Sequence, residues 1–317
     1  MGFHGNRETK ILFEEADGVF VNMQKRYVKS KDRKREIKLA IFHEGWKKTG
    51  ENRYELAEKT AVCGIENPRD FTKRKEAMIA KKYNTDEIEM RVFNSDGGNW
   101  IKTLYSYDDS VEFQLDQFHL KKAIRECRID NKFEAKIFSL LNDCRIDDIL
   151  EYVEMVLNSV DEDKQIEKLS TLYSYLKNNK NGLIPYQKRD LKLPELNEGL
   201  VYRGMGNCEH SVYLTVAKRM KHRSAAWSPD GSLNLCKVLC LNVSKTLKQS
   251  LETISTITLP EHYIEKITHV LSATKIPKSI GKGYVGKICK MPYAQSAITE
   301  SRKSFVNWLK GTETMNF

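Results

Sequence analysis

A chain of 317 residues, 40% hydrophobic and 30% charged, is long enough for one large domain or two modest ones. No run approaches the roughly 18 apolar residues that cross a bilayer, and Met1 to Lys10 lacks the apolar centre of a secretory signal, so no membrane partner is expected and the cytoplasm is the expected compartment. Lys and Arg total 53 against 43 Asp and Glu, a net charge of +10, which points to a polyanionic partner more readily than to a basic or neutral one.

In chain order, Ile11–Asn22 reads as a strand of β-branched and aromatic residues around a short acidic patch. A basic segment follows: Lys25 to Lys38 holds eight basic and two acidic residues. Residues 36–43 form a second strand and 53–63 a third, with Gly50 and Asn52 supplying the turn between them. A helix is expected from Arg69 to Tyr83. A fourth strand spans Ile88 to Asn94 and stops at Ser95-Asp96-Gly97-Gly98, with a short helix near Trp100. A fifth strand ends at Leu115, and Asp116 opens the next helix. The order β-β-β-α-β-α-β-α is that of an RNase H-like mixed α/β sheet, with the first strand beside the fourth.

From Asn131 to Lys180 apolar residues recur at helical spacing (Ile137, Leu140, Leu141; Ile149, Val153, Val156, Leu157; Ile166, Leu169, Leu172, Leu176), so this stretch is expected to be helical throughout. A further helix runs from about Asn207 to Arg223 and carries a second basic cluster, KRMKHR, from Lys218 to Arg223. A third basic stretch, Lys275 to Lys290, has five lysines and no acid. The expected organisation is a catalytic core at 8–128 and 205–240, an all-helical insertion at 129–204, and a basic helical or irregular region at 241–317. Basic clusters bind phosphate backbones by releasing condensed counterions. The candidate DNA-binding residues are Lys25, Arg26, Arg33, Lys34, Arg35, Lys218, Arg219, Lys221 and Arg223. For any single cluster a solvated surface is an equal alternative. The seven cysteines are scattered and odd in number. Cys236 and Cys240 share a helix face, but no CxxC pair or zinc-finger His is present, so reduced buried thiols are expected and zinc is not.

Three carboxylates form a constellation. Asp17 has the strand parity of Ile11, Phe13 and Glu15, which puts these side chains on one face. Asp96 ends the fourth strand. Glu209 precedes Val212, Tyr213, Val216 and Met220 on an inward helical stripe, where a carboxylate is costly unless a cation compensates it. Phosphodiester cleavage needs an activated water and a stabilised leaving oxygen. A pair of Mg²⁺ ions on hard oxygen ligands meets both needs. Each residue also has a plain structural reading: Asp17-Gly18 and Asp96 as turn residues, Glu209 as a first-turn acid.

These residues lie in segments that resemble a known family. Asp96 to Ile124, together with FEEADGVFV, YLKNNKNGL and the block from Gly206 to Gly231, resembles the ISLre-type bacterial insertion-sequence transposases, a group long described as uncharacterised. The similarity covers most of residues 11–240. It implies a DDE transposase of Mutator-related design. Asp17, Asp96 and Glu209 would be its catalytic residues and its ligands for Mg²⁺ or Mn²⁺. The Asp116-Gln117-Phe118-His119 stretch matches the family's DxxH pattern, with His119 auxiliary. Members carry a further N-terminal region, so the resemblance implies a shortened copy, and Glu15 is an alternative to Asp17. The expected activity is strand cleavage and transfer on double-stranded DNA, at transposon ends and target, with homo-oligomerisation left open. The alternatives are a metal-dependent nuclease of the same fold and a non-catalytic DNA-binding remnant.

Overall fold

The computed structural model describes residues 5–27, 33–106, 108, 110–206, 208–221 and 225–255. Residues Met1–Leu251 belong to one compact unit; of the second, Glu252–Phe317, only the end of one helix is described. The expected third basic stretch at 275–290, and Arg223, lie outside the described residues.

The core is a five-stranded sheet, built from β1 (Ile11–Asn22), β2 (Lys34–His43), β5 (Thr60–Gly64), β6 (Met90–Ser95) and β7 (Val111–Leu115), in the order β5-β2-β1-β6-β7. The first three pair antiparallel, and β1–β6 and β6–β7 pair parallel. This is the mixed α/β sheet expected, with the first long strand beside the fourth. The stretch read as one strand at 53–63 is two: β4 (Tyr54–Leu56) and β5. With β3 (Trp46–Lys48) and β8 (Leu200–Val201), β4 forms a small separate sheet in the order β4-β3-β8. The break falls at Glu58, whose φ of 55° no extended strand accommodates.

Helices follow their caps and apolar stripes. The Asn67 side chain accepts the Asp70 N–H and Pro68 occupies the first turn of α1 (Pro68–Lys82), where its missing N–H costs nothing. After α2 (Asn99–Lys102), Asp116 caps α3 (Gln117–Glu126). Then come α4 (Asn131–Asn142), α5 (Ile146–Asn158) and α6 (Asp163–Asn178), with no strand between 131 and 180. Ile137, Leu140, Ile149, Val153, Leu169, Leu172 and Leu176 are buried, and they pack with Leu115, Leu120 and Ile124 of β7 and α3. The helix expected at 207–223 is interrupted: α7 (Cys208–Val212) passes through a π-helical turn at Tyr213–Ala217 into α8 (Lys218–Met220). Val212, Val216 and Met220 face inward as expected, but Tyr213 is exposed because the widened turn rotates it off the stripe. Two further helices are α9 (Pro229–Val243) and α10 (Leu247–Ser255). No helix among the described residues is long and apolar enough to cross a membrane.

Strand alternation gives β1 two faces of different chemistry. The even residues Leu12 and Ala16 pack with Phe42, Phe71 and Phe93. Among them Glu14 is 1% exposed and holds two buried cations, Lys75 at 2.5 Å and Arg91 at 2.5 Å. Lys75 also donates to the Leu104 carbonyl, and Arg91 reaches Glu76 at 2.9 Å. Glu14→Gln leaves the two buried cations with only the partly exposed Glu76 and, for Arg91, Asp108. The expected loss is roughly 3–5 kcal/mol, read as a lower urea midpoint with unchanged slope; a variant as stable as the parent contradicts this role for Glu14.

Candidate active site

The other face of β1 carries Phe13, Glu15 and Asp17. Parallel register pairs Ala16 with Ser95 and Ser95 with Leu115. The next residue of each chain is Asp17, Asp96 and Asp116, so three aspartates stand side by side in one row across the sheet. Two residues back on the same face, Glu15, Asn94 and Gln114 make a second row, all buried. Asn94 donates to Asp116 at 3.0 Å and accepts from Gln114 at 3.1 Å, and Gln114 accepts the Tyr186 N–H at 2.9 Å. This amide ladder supports the acidic row from beneath.

Each aspartate is held differently. Burial pushes the Asp17 carboxyl up to about 6; the Gly18 N–H, donating at 2.6 Å, pulls the other way, Asp96 and Asp116 add to the rise, and His119 opposes it. Asp17, Asp96, Asp116 and His119 therefore share one electrostatic neighbourhood. Asp96 accepts the Gly98 N–H at 2.8 Å, and its backbone carbonyl accepts the Tyr175 hydroxyl at 3.0 Å. Gly97, at φ +78°, lies where a Cβ would come within 2.5 Å of the Asn179 side chain, so the loop packs on the end of α6 only as glycine. Burial, with Asp96 and Asp116 adding to it, pushes the Tyr175 phenol upward, so it remains a donor. Asp116 is the most committed of the three. One oxygen accepts the Phe118 and His119 N–H groups at 3.0 and 3.1 Å, capping α3, and the other takes Asn94. The DxxH stretch is thus a helix cap that also sets His119 one turn along, beside the row.

Glu209 belongs to α7, which packs against β1. Gly206, at φ +134°, lies with its Cβ direction 3.8 Å from an Asp116 carboxylate oxygen, so the chain enters α7 beside the row. The Glu209 side chain lies outside the described residues. Glu15, the alternative to Asp17, is 1% exposed and one step behind the row, level with Asn94. Among the described residues no three carboxylate or imidazole ligand atoms lie within 4.8 Å of one another.

The described basic candidates fall together at one end. Lys25 and Arg26 follow β1, Arg33 precedes β2, and Lys34 and Arg35 begin it; all are exposed. Met23 bridges to Trp227, whose indole donates to the Met220 carbonyl at 2.9 Å. This brings exposed Lys218, Arg219 and Lys221 to the same end as the β1–β2 tip. Lys38, counted in the first cluster, is instead buried and donates to the Glu66 carbonyl at 2.8 Å. Asn94, Gln114 and Tyr175 were not among the expected site residues. The first two carried a readable signal, being polar residues at core parity in apolar strands.

The fold and this row define an α/β protein with a mixed five-stranded sheet and an acidic site on its parallel side. The chain belongs to the Uncharacterised protein family (UPF0236), whose family model matches residues 2–254. It is 25% identical over 234 residues to the UPF0236 protein in vanSb 3'region of Streptococcus gallolyticus, covering 71% of this chain and 48% of that one. Two UPF0236 proteins of Caldanaerobacter subterraneus subsp. tengcongensis are each 26% identical over 184 residues, covering 57% of this chain and 38% and 36% of theirs. The chain spans about half the length, or less, of these curated relatives. No solved structure matches it significantly.

A carboxyl held at about 6 against an ordinary value of 3.8 binds its proton more tightly folded than unfolded. Its contribution to stability is full below about pH 4 and is lost as pH rises through about 6. Asp17→Asn is therefore expected to be more stable than the parent at pH 7 without divalent ions, by on the order of 1–3 kcal/mol, and equal to it near pH 4. Urea unfolding from pH 4 to 8 reads this, and a variant less stable at pH 7 contradicts it.

Proposed function

We propose that this chain is a DDE transposase whose Asp17, Asp96 and Glu209 hold divalent magnesium or manganese and act on double-stranded DNA. The observation that carries the reading is the row itself: Asp17 and Asp96 lie level on neighbouring parallel strands, beneath the helix that bears Glu209. Burial, with the Asp96 and Asp116 carboxylates adding to it, raises Asp17 to about 6, and a hard cation on these oxygen donors would offset both the burial and the repulsion. When bound, such ions supply activation of water and stabilisation of the leaving oxygen. The chain's own residues do the positioning. Gly98 and Tyr175 fix the Asp96 loop through its carboxylate and its carbonyl, and Asp116 with the Asn94–Gln114 ladder holds α3 and His119 against the row. Asp17 is favoured over Glu15 because it shares the level of Asp96, whereas Glu15 lies a row deeper.

The basic end fits a duplex partner. Its nearest member, Arg35, stands opposite Val21, four residues beyond Asp17, roughly 14 Å along an extended strand at about 3.4 Å per residue, and Lys25 follows eight residues beyond Asp17, roughly 27 Å. A further support comes from a Caldanaerobacter relative, whose name joins eleven gene loci of one genome. A coding sequence held at many loci is what self-copying DNA elements leave behind.

With supercoiled plasmid or end-bearing DNA, Mg²⁺-dependent cleavage and joining is expected. Asp17→Asn, Asp96→Asn and Glu209→Gln should each lower it by on the order of 100-fold or more while duplex binding persists. Cleavage unaffected by all three substitutions rejects the assignment. Nicking without joining would place the chain as a nuclease, and metal-independent binding without cleavage as a remnant.

Duplex affinity should fall steeply with salt. Reversing Arg33, Arg35, Lys218 and Lys221 to Glu should lower affinity and flatten the log–log salt slope by about 0.9 for each phosphate that is no longer neutralised. An unchanged slope in that variant means these side chains are solvated surface.

A further inference from the structure

We propose that Cys63, Cys236 and Cys240 form a three-sulfur site for a soft, thiophilic metal ion of the univalent-copper type, which would pin α9 to the edge strand β5. The three side chains come from two distant segments, yet their sulfurs all lie within 4.8 Å of one another. Each is buried, at 3%, 0% and 4% exposure. Cys236 and Cys240 stand one turn apart on the buried stripe of α9, which begins with Ser232. Cys63 projects from β5 on the face it shares with Ala61, towards both helix thiols.

Ordinary core packing explains buried thiols but not this arrangement. In a core, cysteine packs as a small apolar side chain, and its neighbours are normally methyl and methylene groups. Here three sulfurs lie within 4.8 Å of one another, inside a cluster that is otherwise apolar side chains such as Leu39, Val216 and Met220. The donor set selects the ion. Sulfur ligands favour soft ions, and no carboxylate or imidazole among the described residues joins the group to suit a hard one. A closed zinc site takes four ligands, whereas three sulfurs complete the shell of a three-coordinate ion. Metal–sulfur bonds of about 2.3 Å place sulfurs roughly 4 Å apart, so small rotamer shifts close the site. Thiolates are costly in apolar surroundings, and the bound cation offsets that cost.

The site is separate from the acidic row, and the proposal does not depend on the function assigned there. The two are nonetheless connected. Cys236 and Cys240 belong to the same packed cluster as Val212, Val216 and Met220, so an ion that fastens α9 to β5 also stiffens the helix carrying Glu209.

The test uses the full chain with Cys127, Cys144, Cys208 and Cys289 changed to Ser, which leaves only the three clustered sulfurs. The reduced protein is titrated anaerobically with Cu(I) against a competing chelator and then studied by X-ray absorption. The proposal predicts one ion per chain, three sulfur neighbours at about 2.3 Å, and a rise in Tm that Mg²⁺ does not produce. Cys63→Ala or Cys236→Ala in that background should weaken binding by roughly 100-fold or more. Absence of stoichiometric uptake, coordination by two sulfurs only, or unaltered affinity in the Ala variants would overturn it. Should an Ala variant fail to fold, the sulfur count of the three-cysteine protein decides alone.

Discussion

The register of β1 between β2 and β6 is the constraint on which the rest of the unit depends. A slip of one residue would exchange the two faces of the strand. It would carry Glu14 away from Lys75 and Arg91 and place Asp17 among Phe42, Phe71 and Phe93. The penalty is electrostatic as well as apolar, because both cations would lose their fully buried carboxylate and keep only the more exposed Glu76 and, for Arg91, Asp108. Lys75 comes from α1 and Arg91 from β6, so one carboxylate ties strand, neighbouring strand and crossover helix together. The ion cluster on one face thereby fixes the level of the aspartates on the other.

The site face inverts that logic. Where Glu14 is compensated by cations, Asp17 is surrounded by burial and by two further carboxylates, and its proton affinity rises. The surrounding structure is arranged to hold this unfavourable row in place. Tyr175 and Asn179 at the end of α6 seat the Asp96 loop, Gly97 permits the close approach, and the Asn94–Gln114 ladder braces Asp116. The helices after β7 therefore contribute to the site as well as to their own core. An acidic row one short strand length from a cationic end is an arrangement suited to holding a polyanion while metal-binding groups face it.

Much of this was legible along the chain because it depends on local period. Alternation in Ile11–Asn22 placed Asp17 on the face of Phe13 and Glu15, and helical spacing in 131–180 identified the apolar stripes of three helices. Asp116 could be read as a cap, since an Asp before a helix has few other roles. Its place level with Asp17 and Asp96 could not, because that follows from pairing between segments far apart. Tyr175 was hidden for the same reason: its hydroxyl meets a carbonyl 79 residues away. The exposure of Tyr213 required knowing that the helix widens to a π turn, and the burial of Lys38 required the Glu66 carbonyl beside it. The shared face of Cys236 and Cys240 was visible from their spacing, but the approach of Cys63 was not.

The central claim is that the aspartate row is a cation site completed from α7. A crystal of the full chain grown with Mn²⁺, with data collected at the manganese absorption edge, tests it most directly. The account predicts an anomalous peak between the Asp17 and Asp96 carboxylates, with the Glu209 carboxylate turned towards it. A row without manganese at saturating concentration, or a Glu209 side chain directed to solvent away from both aspartates, would contradict it.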